Sequence, residues 1–142
     1  MQAIFLSGRY RTERLCRFWS KNPDGYCLLQ HCIDHRNIED ISHIFLHCQS
    51  LNAVRERLVK FTLDATSLIK VRELTDCILF YTQPQNPDFL QFMLDCSVLP
   101  PVISLAQQHG HYILEQCFKI SRTWCFSLHR ERMRQLGRWT FS

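Results

Sequence analysis

Glycine and proline are scarce in this chain, with 4 Gly and 5 Pro among 142 residues. That excludes a turn-rich β-sandwich, a collagen repeat and a low-complexity linker, all of which need many more of both. Long apolar runs are missing too: no window approaches the roughly 18 apolar residues that span a bilayer. Ala3 to Leu6 is a short apolar stretch, and the basic residues follow it from Arg9 onward. A secretory signal needs its charge first and then roughly 7–15 apolar residues. The sequence has no Gly-x-Gly-x-x-Gly, no P-loop and no nucleophile elbow around Ser104, Ser121 or Ser127, and no Gly-rich oxyanion turn accompanies any cysteine. These absences point away from catalysis by this chain and away from a small-molecule substrate. Hydrophobic residues make up 46% and charged residues 21%, so the chain can bury a core and is not disordered.

What is present in excess is 8 Cys together with 7 His. With no signal leading to an oxidising compartment, the expected setting is intracellular, nucleus or cytoplasm, where cysteines serve as thiols or metal ligands. The net charge of +4 conceals an uneven distribution. Arg9, Arg11, Arg14, Arg17 and Lys21 face only Glu13 in the first 21 residues, and Lys119, Arg122, Arg130, Arg132, Arg134 and Arg138 face only Glu131 in residues 119–142. Two basic ends therefore flank an acidic middle, which suits an anionic partner if the ends meet in space. The abrupt start, with a helix-like run opening almost at once, suggests the tail of something longer.

Periodicity predicts an all-α protein. Leu15, Phe18 and Trp19 fall at helical spacing among arginines over 9–21, and Asn22-Pro23-Asp24-Gly25 is the strongest turn signal. A helix is predicted over 38–48, from Ile38, Ile41 and Ile44/Phe45, with Glu39 and Asp40 in its first turn where the helix dipole favours them. Ser50 reads as the N-cap of a helix over 51–63 whose face carries Leu51, Val54, Leu58 and Phe61. Thr66 or Ser67 caps a short segment leading to a helix over 73–82. After a loop over 83–88, helices follow to about 96 and from Pro100 to Gly110. The last helix, 111–136, places Ile113, Cys117, Ile120, Trp124 and Leu128 on one stripe. This divides the chain into 1–64, a basic helix, a knuckle and the following helix, and 65–142, a helical region packing on it.

The irregular stretch after the turn carries the chemistry. Cys27 and Cys32 sit on a loop, and His43 and Cys48 follow five positions apart on the next element. Three thiolates and one imidazole suit tetrahedral Zn²⁺, so the ligands assigned are Cys27, Cys32, His43 and Cys48. His31 is an alternative to Cys32, and His47 to His43. The loop from Gly25 to Ile38 has too few apolar residues to hold itself closed, and structural Zn²⁺ supplies on the order of 10–16 kcal/mol in small fingers. Cys77, Cys96, Cys117 and Cys125 fall on predicted helix faces and read as small apolar packing residues, as does Cys16.

The run Cys27…Cys32…Glu39-Asp40-Ile-Ser-His43-Ile-Phe-Leu-His47-Cys48, followed by a basic helix, resembles the zinc-knuckle region at the C-terminal end of reverse transcriptases from non-long-terminal-repeat (LINE-type) retrotransposons. The flanks 6–16 and 122–139 are similar to animal retroelement tails, so the likeness covers most of the chain. The gap between Cys27 and Cys32 is wider than the family's common spacing, which makes the second ligand the one that departs. The resemblance implies a structural zinc and a tail that holds RNA or DNA, with the polymerase domain of a parent protein as a further partner. It implies no enzyme here: polymerase chemistry needs paired metal-binding aspartates, and this chain has no Asp-Asp pair.

Arg122, Arg130, Arg134 and Arg138 recur near multiples of four on the last helix, beside the Trp124/Leu128 face. With Arg9, Arg11, Arg14 and Arg17 of the first helix, they are the candidate nucleic-acid-binding residues, making phosphate contacts with nearby base stacking. The rival expectation is a zinc-stabilised protein-interaction module. Under it, Leu74, Ile78, Phe89, Phe92 and Met93 form an exposed apolar patch instead of a core.

Overall fold

The computed structural model of the protein describes Thr12 and residues 24–137. Among these, a knuckle over 24–48 leads into α1 (Asn52–Thr66), α2 (Arg72–Tyr81), α3 (Phe89–Asp95), α4 (Pro100–His109) and α5 (Tyr112–Leu136). Short 3₁₀ turns, Gln49–Leu51 and Cys96–Val98, precede α1 and follow α3. The described residues contain no strand, only an antiparallel bridge between Tyr26 and Ile38. The all-α expectation holds. No single described helix is long and apolar enough to cross a membrane.

Helix α5 is the spine. Its 25 residues extend about 37 Å at 1.5 Å per residue, and it packs on α1, α3 and α4, while α2 packs on α1 and α4. The predicted stripe is the buried one: Ile113, Cys117, Ile120, Trp124 and Leu128 are all in the core. Trp124 meets Phe89 edge-on at 5.6 Å between ring centres. Its indole N–H donates to the Thr62 hydroxyl at 3.0 Å, which in turn donates to the Leu58 carbonyl at 2.8 Å. Tyr81 and Phe92 stack at 5.9 Å. One core runs from Cys27 through Leu128 and includes Leu74, Ile78, Phe89, Phe92 and Met93. The exposed apolar patch expected under the interaction-module alternative is therefore absent, because all five side chains are buried in that core. Cys77, Cys96, Cys117 and Cys125 are buried free thiols, as expected of packing residues.

Helix ends depart from the sequence reading in three places. Residues 38–48 do not form one α-helix: Ile38 sits in the bridge, and helical backbone begins at Ile41 and widens at once into a π turn, His43–His47. Ser50 does not cap α1; its hydroxyl accepts the backbone N–H of His31 at 3.0 Å instead, tying down the knuckle loop. Thr66 and Ser67 end α1 and do not start a new segment. Gly110 (φ +87°) and Gly137 (φ +68°) close α4 and α5 in conformations that side chains resist. The Gly137 N–H caps the Arg134 carbonyl at 3.1 Å.

Candidate metal centre

The knuckle is assembled from backbone hydrogen bonds at its base. Cys27 N–H donates to the Asn37 carbonyl at 2.7 Å, and Glu39 N–H to the buried Gly25 carbonyl at 2.9 Å. Within the loop, the N–H groups of Cys32 and Ile33 both donate to the Leu29 carbonyl at 2.9 Å, a tight turn that swings Cys32 back toward Cys27. On the other side, the Asp40 carboxylate accepts the His43 N–H at 2.8 Å and so starts the helical turn. The Cys48 N–H then reaches the His43 carbonyl at 2.7 Å, the five-residue bond of a π turn. On an α-helix, residues five apart diverge by about 140° at 3.6 residues per turn. The wider π turn removes most of that divergence, and this is how a spacing unsuited to an α-helix brings His43 and Cys48 together.

The result is a buried group of Cys27, Cys32, His43 and Cys48 whose ligand atoms all lie within 4.8 Å of one another. The Sγ atom of Cys48 is 3.7 Å from that of Cys32 and 3.9 Å from that of Cys27. Disulfide sulfurs would lie about 2.05 Å apart. Two sulfurs each about 2.3 Å from one tetrahedral ion would lie about 3.8 Å apart. The His43 Nε2 is sealed from solvent, and no described atom completes a hydrogen bond with it. An orphaned buried nitrogen costs about 1–3 kcal/mol, which coordination of a cation removes. Spacing, donor set and orphaned nitrogen therefore fit a metal ion of zinc's preferences. His31 and His47, the two alternative ligands, are exposed and stand outside the group.

The electrostatics point the same way. A hydrogen bond from the Cys27 thiol holds Cys48 down to about 4 against the opposing effect of burial, with help from His43 and Cys32. Cys27 is pushed up, chiefly as the donor in that pair and then by burial. The group thus stabilises a thiolate inside the protein. Arg55 balances it from α1: its guanidinium donates to the Ile44 carbonyl at 3.1 Å and to the Cys48 carbonyl. Burial lowers the Arg55 guanidinium from its ordinary value, and the field of Cys48 and Cys32 offsets part of that.

Sequence reasoning missed the partner that joins this centre to the rest of the fold. Glu39, expected in an exposed first turn, is fully buried. It receives two hydrogen bonds from Arg132 of α5, at 3.0 Å from Nε and 2.5 Å from Nη2, and the same carboxylate accepts from Cys27 Sγ at 3.6 Å. The chain Cys27–Glu39–Arg132 therefore runs from a candidate ligand to the spine helix. Its signal was in the stripe itself: four residues after Leu128, the buried side of α5 reaches Arg132, and a buried arginine requires a paired carboxylate.

Of the candidate nucleic-acid-binding residues, Arg122, Arg130 and Arg134 are exposed on α5. Arg134 pairs there with Glu131, and Arg122 donates to the Phe118 carbonyl at 3.2 Å. Arg9, Arg11, Arg14, Arg17 and Arg138 lie outside the described residues. Comparison with family models, with curated proteins and with solved structures finds no match to this chain.

Proposed function

We propose that this chain is a zinc-stabilised, nucleic-acid-binding helical module, similar in kind to the knuckle tail of a non-long-terminal-repeat reverse transcriptase and without catalysis of its own. The observation that carries the reading is the buried Cys27, Cys32, His43 and Cys48 group at near-tetrahedral spacing. It is tied through Glu39 and Arg132 to a helix with exposed arginines. Zinc held by these four side chains would close the knuckle; a full set of four protein ligands marks a structural site, not a catalytic one. Arg132 neutralises Glu39 beside Cys27, and Arg55 offsets the charge of the thiolates. The seven described cysteines, all free thiols, suit the reducing interior of a cell, nucleus or cytoplasm.

Two measurements test the reading together. Elemental analysis of the purified chain is expected to find one zinc per chain, lost in Cys48→Ala. Retention on single-stranded RNA or DNA is expected to fall steeply with salt. A protein without zinc whose circular dichroism ignores chelators refutes the metal half; absence of binding at low salt refutes the nucleic-acid half.

A further inference from the structure

The same reading leaves open where a nucleic acid would lie; of the described arginines expected from the sequence, Arg130 and Arg134 share a groove and Arg122 does not. Between α1 and α5 runs a trough of about 450 Å³, within the roughly 300–1,000 Å³ of pockets that hold small ligands. Arg57 and Phe61 of α1 and Phe126, Arg130 and Arg134 of α5 line it. Phe126 is 47% exposed, so its ring is open to a ligand. Glu131 also lines the trough and is engaged by Arg134, so three guanidinium groups face one carboxylate and the trough is positive. Arg134 also borders a second, polar recess with Gln30, His31 and Ser50 at the edge of the knuckle.

Guanidinium groups that share a groove with an exposed aromatic ring match a flexible strand of phosphates and bases. A peptide acid would satisfy the charges but leave the rings unused. We propose, building on the nucleic-acid reading above, that the α1–α5 trough binds single-stranded nucleic acid, with Arg57 and Arg130 on phosphates and Phe126 stacked on a base. Arg57 enters the site although it belongs to the acidic middle of the sequence, and Arg122 does not line it.

The test is fluorescence anisotropy of the full chain with labelled 20-nucleotide oligo(rU) and oligo(dT), titrated over a range of salt. Arg57→Ala/Arg130→Ala is expected to weaken binding and flatten the salt slope by about 1.4, at about 0.7 for each lost phosphate contact on a single strand. Phe126→Ala is expected to weaken binding roughly 5- to 150-fold with the slope unchanged. Arg72→Ala, at the exposed start of α2 and outside the trough, is the control. If the wild type binds but the double variant matches Arg72→Ala in affinity and slope, the trough is overturned and the nucleic-acid reading stands. If the wild type gives no signal with either oligonucleotide at about 50 mM salt, that reading falls and the trough with it.

Discussion

Replacing Arg132 with methionine tests the joint between the knuckle and the spine helix. Arg132 and Glu39 are 1% and 0% exposed, so Arg132→Met leaves a carboxylate buried with neither water nor its charge partner. Breaking a buried pair from one side costs about 3–5 kcal/mol, a large part of the roughly 5–15 kcal/mol that holds a domain together. At this chain length the loss corresponds to a fall of roughly 10–15 °C in Tm. Removing both charges, as in Glu39→Leu/Arg132→Met, eliminates the orphaned group and is expected to recover most of that stability. The pair also bears on the metal centre, because the Glu39 oxygen bonded to Arg132 Nε is the one that accepts from Cys27. Without the guanidinium, an uncompensated carboxylate faces a candidate ligand, and zinc affinity is expected to drop about 10- to 100-fold, the usual effect of losing such an outer partner. Urea denaturation of both variants with excess chelator measures the stability term. Competition with a chromophoric zinc chelator measures the affinity term. A single variant within about 0.5 kcal/mol of wild type, with unchanged zinc affinity, would refute the reasoning.

Thr62→Val removes the acceptor of the Trp124 indole N–H while keeping the shape, and is expected to destabilise by about 1–3 kcal/mol, read from tryptophan fluorescence in urea. Gly137→Ala forces a side chain to φ +68° and is expected to cost about 1–2 kcal/mol, measured as a lower Tm; no change would show that α5 ends without that cap. Burial raises the Cys77 thiol to about 11 and the Cys125 thiol to about 12. At pH 8 a thiol with the lower of these values is about one part in a thousand thiolate, so both are expected to resist alkylation until the protein unfolds and their values return toward 8.5. Mass-spectrometric labelling at pH 8 checks this, and modification of either in the folded protein at the rate of a free thiol would contradict it.

The architecture was legible where periodicity sets burial. The stripe from Ile113 to Leu128 needs only the 3.6-residue repeat to be read, and all five described α-helices begin and end within a few residues of the predicted bounds. The candidate metal-binding group was legible as well, because thiols and imidazoles are rare enough together that their clustering is itself a signal. What failed were local assignments that a distant partner overrides. Glu39 has the composition of a helix start, and only Arg132, 93 residues away, makes burying it favourable. Ser50 has the composition of a cap, and only the loop carrying His31 gives its hydroxyl a different donor.

Residue order alone was enough to show that the fold is helical, which face of the last helix is buried, and which segment carries the candidate metal ligands. Those properties depend on residue type and spacing along one segment. Tertiary structure alone decided between His43 and His47 and between Cys32 and His31, because a π turn and a tight loop, not spacing, set which atoms converge. It also decided that Arg132 is a structural charge and Arg57 a surface one facing α5. Arginines are alike in a sequence; burial and the nearest carboxylate separate them.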